Sequence, residues 1–203
     1  MRSERGAARI LPALLVAAAA ALALCGCGPS GPAFRNTDIT GADYGKDFSL
    51  TDHNGKPRSL ADFRGRVVVM FFGYTHCPDV CPTTLAELKS VKERLGEEGS
   101  RLQVLFVTLD PERDTPKLLA NYVPAFDAGF LGLYGDAAAT ARVAKDFRVF
   151  YQKVPGKTPD SYTMDHTAGS YVFDTQGRLR LFAREGNPGN LVADIRTLLE
   201  ASR

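Results

Sequence analysis

Sulfur and imidazole are scarce in this chain: its 203 residues include four cysteines and three histidines. A disulfide scaffold is thereby excluded, since such frameworks use several bridges in a small domain. Charge of one sign is missing as well. Three of the 25 basic residues and one of the 23 acidic residues lie within positions 1–26, so 22 of each remain beyond them. With no basic stripe, tail or block to neutralise phosphates, no nucleic acid partner is expected. Long apolar runs are lacking too: the stretch from Ile10 to Leu24 is too short for a comfortable membrane-spanning helix.

What precedes and follows that stretch gives it a meaning. Arg2, Arg5 and Arg9 supply positive charge before it, and Leu24-Cys25-Gly26-Cys27 closes it. Residues 1–26 therefore read as a targeting leader whose end resembles a bacterial lipoprotein cleavage box, with Cys27 as the lipidated residue. The alternative box, Leu22-Ala23-Leu24-Cys25, fits less well, because a small residue should precede the cysteine. An uncleaved membrane anchor is the other reading. Either way the domain is expected on the extracytoplasmic (periplasmic) side, and on the first reading lipid anchors it to the membrane. Gly28 to about Gly45 is rich in glycine, proline and small polar residues, so residues 27–45 read as a flexible tether. Residues 46–203 are one domain's worth of chain.

The elements follow from hydrophobic period and turn chemistry. Phe48-Ser49-Leu50 and Arg58-Ser59-Leu60 flank Asp52-His53-Asn54-Gly55, whose Asn-Gly pair suits a hairpin turn. A continuous apolar strand spans Arg66 to Tyr74, and Leu85, Leu88, Val91 and Leu95 then recur at helical spacing before Gly96. A second buried strand, Leu102 to Leu109, leads to Thr115-Pro116, a capped helix start. A short strand (Phe130 to Tyr134) and a helix (Ala137 to Phe147) follow. Tyr151 to Asp165 is polar, contains Pro155 and Pro159, and reads as a long unstructured loop of functional character. A hairpin around Gln176-Gly177 and a helix carrying Leu191, Ile195, Leu198 and Leu199 close the chain. This order predicts an α/β, thioredoxin-like fold with an added N-terminal β-hairpin and an inserted loop before the last hairpin.

With Cys25 lost and Cys27 lipidated, Cys77 and Cys81 are the thiols of the folded domain. They lie in Cys77-Pro78-Asp79-Val80-Cys81-Pro82, between the first core strand and its helix. The positive end of that helix is expected to lower thiol pKa, and Pro82 suits the first helical position. Two thiols about one turn apart can form a disulfide or share a metal ion. As a structural staple the pair would close too small a loop to stabilise much. Two thiolates leave a metal short of ligands, and His166, just before the last hairpin, can supply a third. A Cys2His set suits copper, with zinc as the other reasonable occupant. His53 reads as solvated and His76 as a neighbour of the site. Asp79 reads as a helix-start carboxylate or a tuner of the thiols. Asp110, Glu112, Arg113 and Asp114 read as a solvated capping cluster, with an ion-pair network supporting the site as the other reading. Met70 and Met164 read as packing residues.

Three motifs in order carry a resemblance. They are Phe72-Gly73-Tyr74-Thr75-His76-Cys77-Pro78-Asp79-Val80-Cys81-Pro82-Thr83, Asp110-Pro111-Glu112-Arg113-Asp114-Thr115-Pro116, and Asp165-His166 ahead of an apolar strand. Across roughly residues 45 to 200 the chain resembles the Sco/SenC family. The resemblance implies a thioredoxin-like, membrane-attached copper chaperone with Cys77, Cys81 and His166 as copper ligands. Its implied partners are the copper-site subunit of cytochrome c oxidase and another copper carrier or thiol reductant. The competing expectation is a thiol-disulfide oxidoreductase in which Cys77 and Cys81 are the catalytic redox pair.

Overall fold

Every residue of the strand Val67–Gly73 is buried, so it must be covered on both faces. The computed structural model describes residues 33–158 and 161–201; the expected leader, cleavage box and Cys27 lie outside the described residues. In chain order the strands are β1 (Thr37–Asp38), β2 (Leu50–Asp52), β3 (Pro57–Arg58), β4 (Val67–Gly73), β5 (Leu102–Thr108), β6 (Leu131–Tyr134), β7 (Tyr151–Pro155), β8 (Tyr162–His166), β9 (Ser170–Phe173) and β10 (Leu179–Ala183). The helices are α1 (Val80–Leu95), α2 (Pro116–Tyr122), α3 (Ala137–Asp146) and α4 (Pro188–Glu200). One sheet runs β1-β10-β9-β4-β5-β6-β2-β3, and β7 pairs with β8 in a separate ribbon. β4, β5 and β6 are parallel to one another, while β9 lies antiparallel to β4. This is the thioredoxin-like plan with its hairpin added through β2 and β3.

Strand alternation divides the interior in two. Val67, Val69 and Phe71 join Val104 and Phe106 under α1 and α4, packing on Leu85, Leu88, Ile195 and Leu198. Val68, Met70 and Phe72 turn to the opposite face, where Phe48, Leu60, Phe63 and Phe147 cover them. Among the described residues no helix is long and apolar enough to cross a membrane.

Two expectations are corrected here. The tether was expected to reach residue 45, yet the folded unit begins at Phe34. Buried Asp194 on α4 accepts the Arg35 and Asn36 amides at 2.8 and 2.9 Å, and β1 then pairs with β10. Phe34, Ile39, Ala42 and Tyr44 also pack against the core, but they are scattered among glycine and polar residues, so hydropathy carried little sign of the segment's order. The second correction concerns Tyr151 to Asp165, which forms a β-hairpin rather than a loop, with Tyr151 opposite His166 and Pro155 opposite Tyr162.

Both hairpins of the main sheet turn on the same device. Asp52 accepts the amides of Asn54 and Lys56 and the Arg58 guanidinium. Asp174 likewise accepts the amides of Gln176 and Arg178 and the guanidinium groups of Arg178 and Arg180. Burial alone would raise both carboxyl pKa values, but these donors outweigh it and hold them below the usual carboxylate range. A carboxyl depressed by folding contributes stability above its unfolded pKa and loses it as pH falls through the folded value. The melting temperature of an Asp174→Asn chain should therefore trail the native one at neutral pH, and the gap should shrink below about pH 4. A gap of the same size at about pH 2 would count against this origin of stability.

Candidate metal centre

β4 delivers the chain to the carboxyl edge of the parallel strands, where Leu109 donates its amide to the Gly73 carbonyl at 2.8 Å. The next residues form a loop held at its start by Asp114. That buried carboxylate accepts the Thr75 amide at 3.0 Å, the Thr75 hydroxyl, and the Thr108 hydroxyl at 2.6 Å. α1 then begins at Val80, with Asp79 as N-cap, so Cys81 is its second residue and Pro82 its third. Pro82 thus sits two positions later than expected. It still lies among the first four residues, whose N–H groups have no intrahelical partner.

The two thiols differ in exposure. Cys81 is fully buried and Cys77 half-buried, and both are free. The Cys81 amide points at Cys77 Sγ, 3.4 Å away. The helix start was expected to lower thiol pKa, but at Cys81 burial wins and pushes the thiol far up, with Cys77 adding to the rise against the pull of a backbone hydrogen bond. Cys81 is accordingly a neutral thiol at rest, which a soft cation could ionise by replacing its proton.

His166 ends β8 and reaches the same spot. Its Nε2 lies 3.8 Å from Cys81 Sγ, and its ring meets Phe71 and Tyr74 edge-on at 6.3 and 6.1 Å. Nδ1 is 3.0 Å from the Thr167 carbonyl, which can only accept, so Nδ1 carries the proton and the Nε2 lone pair faces the thiol. Metal–thiolate and metal–imidazole bonds of about 2.3 and 2.0–2.1 Å meeting near 120° span about 3.7–3.8 Å. The Cys81–His166 pair already has that separation. Among the described residues no three His, Cys, Asp or Glu side chains stand as a complete ligand cluster.

The other candidates fall elsewhere. His76 is exposed and faces Thr75 Oγ1 at 3.1 Å and Asp114 at 3.8 Å. Asp79 is an exposed helix-start carboxylate near Thr83 Oγ1. Met70 and Met164 are buried in the core. His53, expected to be solvated, is half-buried and accepts the Gly132 amide at 3.0 Å, fixing the added hairpin to β6. The acidic-basic cluster, expected as a solvated cap, is largely built into the fold. Asp110 and Asp114 are buried, and Asp110 accepts both the Arg113 guanidinium and the Tyr162 hydroxyl.

Sequence reasoning missed two residues, Tyr122 beside the thiols and Tyr162 on the β7–β8 ribbon. Tyr122, read as part of an apolar helix face, has a buried hydroxyl without a hydrogen-bond partner. Burial raises its phenol pKa, and Cys81 and Cys77 add to the shift. Tyr162, placed in the supposed loop, connects the ribbon to the rest of the molecule. Only its alternation with Met164 and His166 could have signalled an inward-facing role.

Residues 36–200 match the SCO1/SenC family profile. The chain is 39% identical over 158 residues to the Protein SCO2 homolog, mitochondrial, of Mus musculus, covering 76% of this chain and 62% of the mouse protein. Of the mammalian relatives it matches, it spans 62% of the mouse protein and 50% of the Bos taurus one. Its fold is similar to Bradyrhizobium japonicum ScoI with copper bound, at 43% identity and a TM-score of 0.69 over 76% of this chain and 98% of that one. It is also similar to apo Sco1 from Thermus thermophilus, at 40% identity and a TM-score of 0.69 over 86% of this chain and 99% of that one. The chain therefore belongs to the SCO1/SenC family.

Proposed function

We propose that this protein is a copper chaperone that holds one copper ion through Cys77, Cys81 and His166 and hands it to the copper-site subunit of cytochrome c oxidase. The supporting observation is the Nε2 lone pair of His166 set 3.8 Å from the buried Cys81 sulfur. Two soft sulfurs and one imidazole favour copper, and the copper-bound Bradyrhizobium relative supports the same choice. The copper is cargo, received from another carrier and released by ligand exchange as acceptor donors replace these three. Residues 1–26 serve as a leader and Cys27 carries lipid, which keeps the domain at the extracytoplasmic membrane surface.

Loading requires thiolates, so the oxidation state of the pair decides it. Anaerobic titration of the reduced chain with Cu(I) should give one tight equivalent, and closing the Cys77–Cys81 disulfide should abolish it until reductant is added. Tight binding by the oxidised chain, or zinc displacing copper from the site, would sink the proposal.

The half-exposed Cys77 also favours a second reading. An accessible thiol backed by a buried one is the layout of an attacking and a resolving cysteine. In that role the protein would reduce the cysteines of the oxidase copper site before another carrier fills them.

A further inference from the structure

The β7–β8 ribbon shares no strand pairing with the main sheet, so side chains must decide where His166 stands. Alternation puts Tyr162, Met164 and His166 on one face of β8. Met164 is buried in the core and His166 meets Cys81. Tyr162, four residues before the imidazole, is gripped from three sides by one short loop. Its hydroxyl donates to Asp110 Oδ1 at 2.8 Å, its carbonyl accepts from Arg113 Nη1 at 2.9 Å, and the Arg113 guanidinium lies 3.5 Å from its ring centroid. Asp110 and Arg113 are themselves ion-paired, and Asp110 is buried. On the neighbouring strand, Lys153 reaches Glu112 of the same loop at 2.6 Å and lies 4.7 Å from the Tyr162 ring.

The far end of that loop holds the other half of the site. Asp114 takes the Thr75 amide and hydroxyl, which anchors the start of the cysteine loop two residues before Cys77. One five-residue segment, Asp110 to Asp114, is thus tied to the thiol arm at one end and to the imidazole arm at the other.

We propose that Asp110, Arg113 and Tyr162 are positioning residues for His166, forming a clasp that sets the thiol-to-imidazole spacing. The inference rests on the reading of Cys77, Cys81 and His166 as copper ligands. None of the three clasp residues is a ligand; they act by keeping the ribbon seated, so that the imidazole waits at bonding distance rather than being ordered when the ion arrives.

A ligand-background comparison tests this. Tyr162→Phe keeps the ring and its stacking but removes the bond to Asp110, and Arg113→Gln removes the stacking charge. Each is made in the native chain and in a His166→Ala chain, and Cu(I) affinity is measured anaerobically by competition with a chromophoric chelator. In the native background each variant should bind about 10- to 100-fold more weakly, the size seen when outer groups that orient a ligand are lost. In the His166→Ala background the same changes should have an effect of less than about twofold, since the group they position is gone. Equal weakening in both backgrounds means general damage and overturns the clasp, as does no weakening in the native one. If His166→Ala alone leaves affinity unchanged, the ligand assignment itself fails, and that arm reports it separately. Thermal melts of the apo chains identify any variant that fails to fold, and Tyr162→Phe, which buries the same ring, keeps the test decisive.

Discussion

Replacing His166 with alanine should cost about two to three orders of magnitude in Cu(I) affinity while leaving the dithiol able to cycle. A closed four-ligand site contributes about 10–16 kcal/mol, so one ligand accounts for about 2.5–4 kcal/mol, and each 1.4 kcal/mol is tenfold. The change is selective because His166 lies at the end of the ribbon and meets the core through the edges of Phe71 and Tyr74 and the Cys81 sulfur. Disulfide exchange with a small thiol, by contrast, needs Cys77 and Cys81 and no imidazole. Chelator competition and exchange kinetics on the same His166→Ala preparation therefore separate the two readings. If copper affinity holds and exchange collapses, the oxidoreductase reading takes over.

Gly73→Ala should damage both fold and site, although no functional group is removed. A Cβ at this position would stand 2.9 Å from Cys81 Sγ and 3.0 Å from the rings of Phe106 and Phe71. All three neighbours are buried, so none has open space to yield into. Overpacking of this kind costs about 1–3 kcal/mol, which lowers the melting temperature by several degrees in a domain of this size. The sulfur has the least freedom, because Cys81 is fixed by the first turn of α1 and has one side-chain torsion. It should be pushed off its line to His166, and Cu(I) affinity should fall at least about tenfold, as for other losses of ligand alignment. A Gly73→Ala chain with native stability and native affinity would show that the strand end can shift freely.

The strands and helices of the core were legible because their chemistry is local. β4 announces itself by its unbroken apolar run, and the turns at Asp52 and Asp174 by an aspartate three residues ahead of a glycine. The cysteine pair and its placement before α1 were equally readable. What escaped is held by groups distant in sequence. Asp110 and Tyr162 are 52 residues apart, and Arg35 meets Asp194 across 159. The β7–β8 hairpin escaped because Pro155, Lys153, Gln152 and Asp165 make its pattern polar. A ribbon standing beside the core, not in it, needs few apolar residues, and Met164 alone among those of β8 is buried. The thiol acidity was misjudged for another reason: a helix terminus is visible in sequence, whereas the depth at which Cys81 lies is not.

The separate ribbon has a consequence for how such a site can arise. The imidazole comes on an appendage spliced between α3 and β9, and the sheet beneath it keeps its full ladder without that piece. A bare dithiol scaffold could therefore acquire a third donor through one insertion that leaves every strand pairing in place and adds Met164 to the interior. Shortening the appendage would take the imidazole away while leaving the ladder of the main sheet as it is.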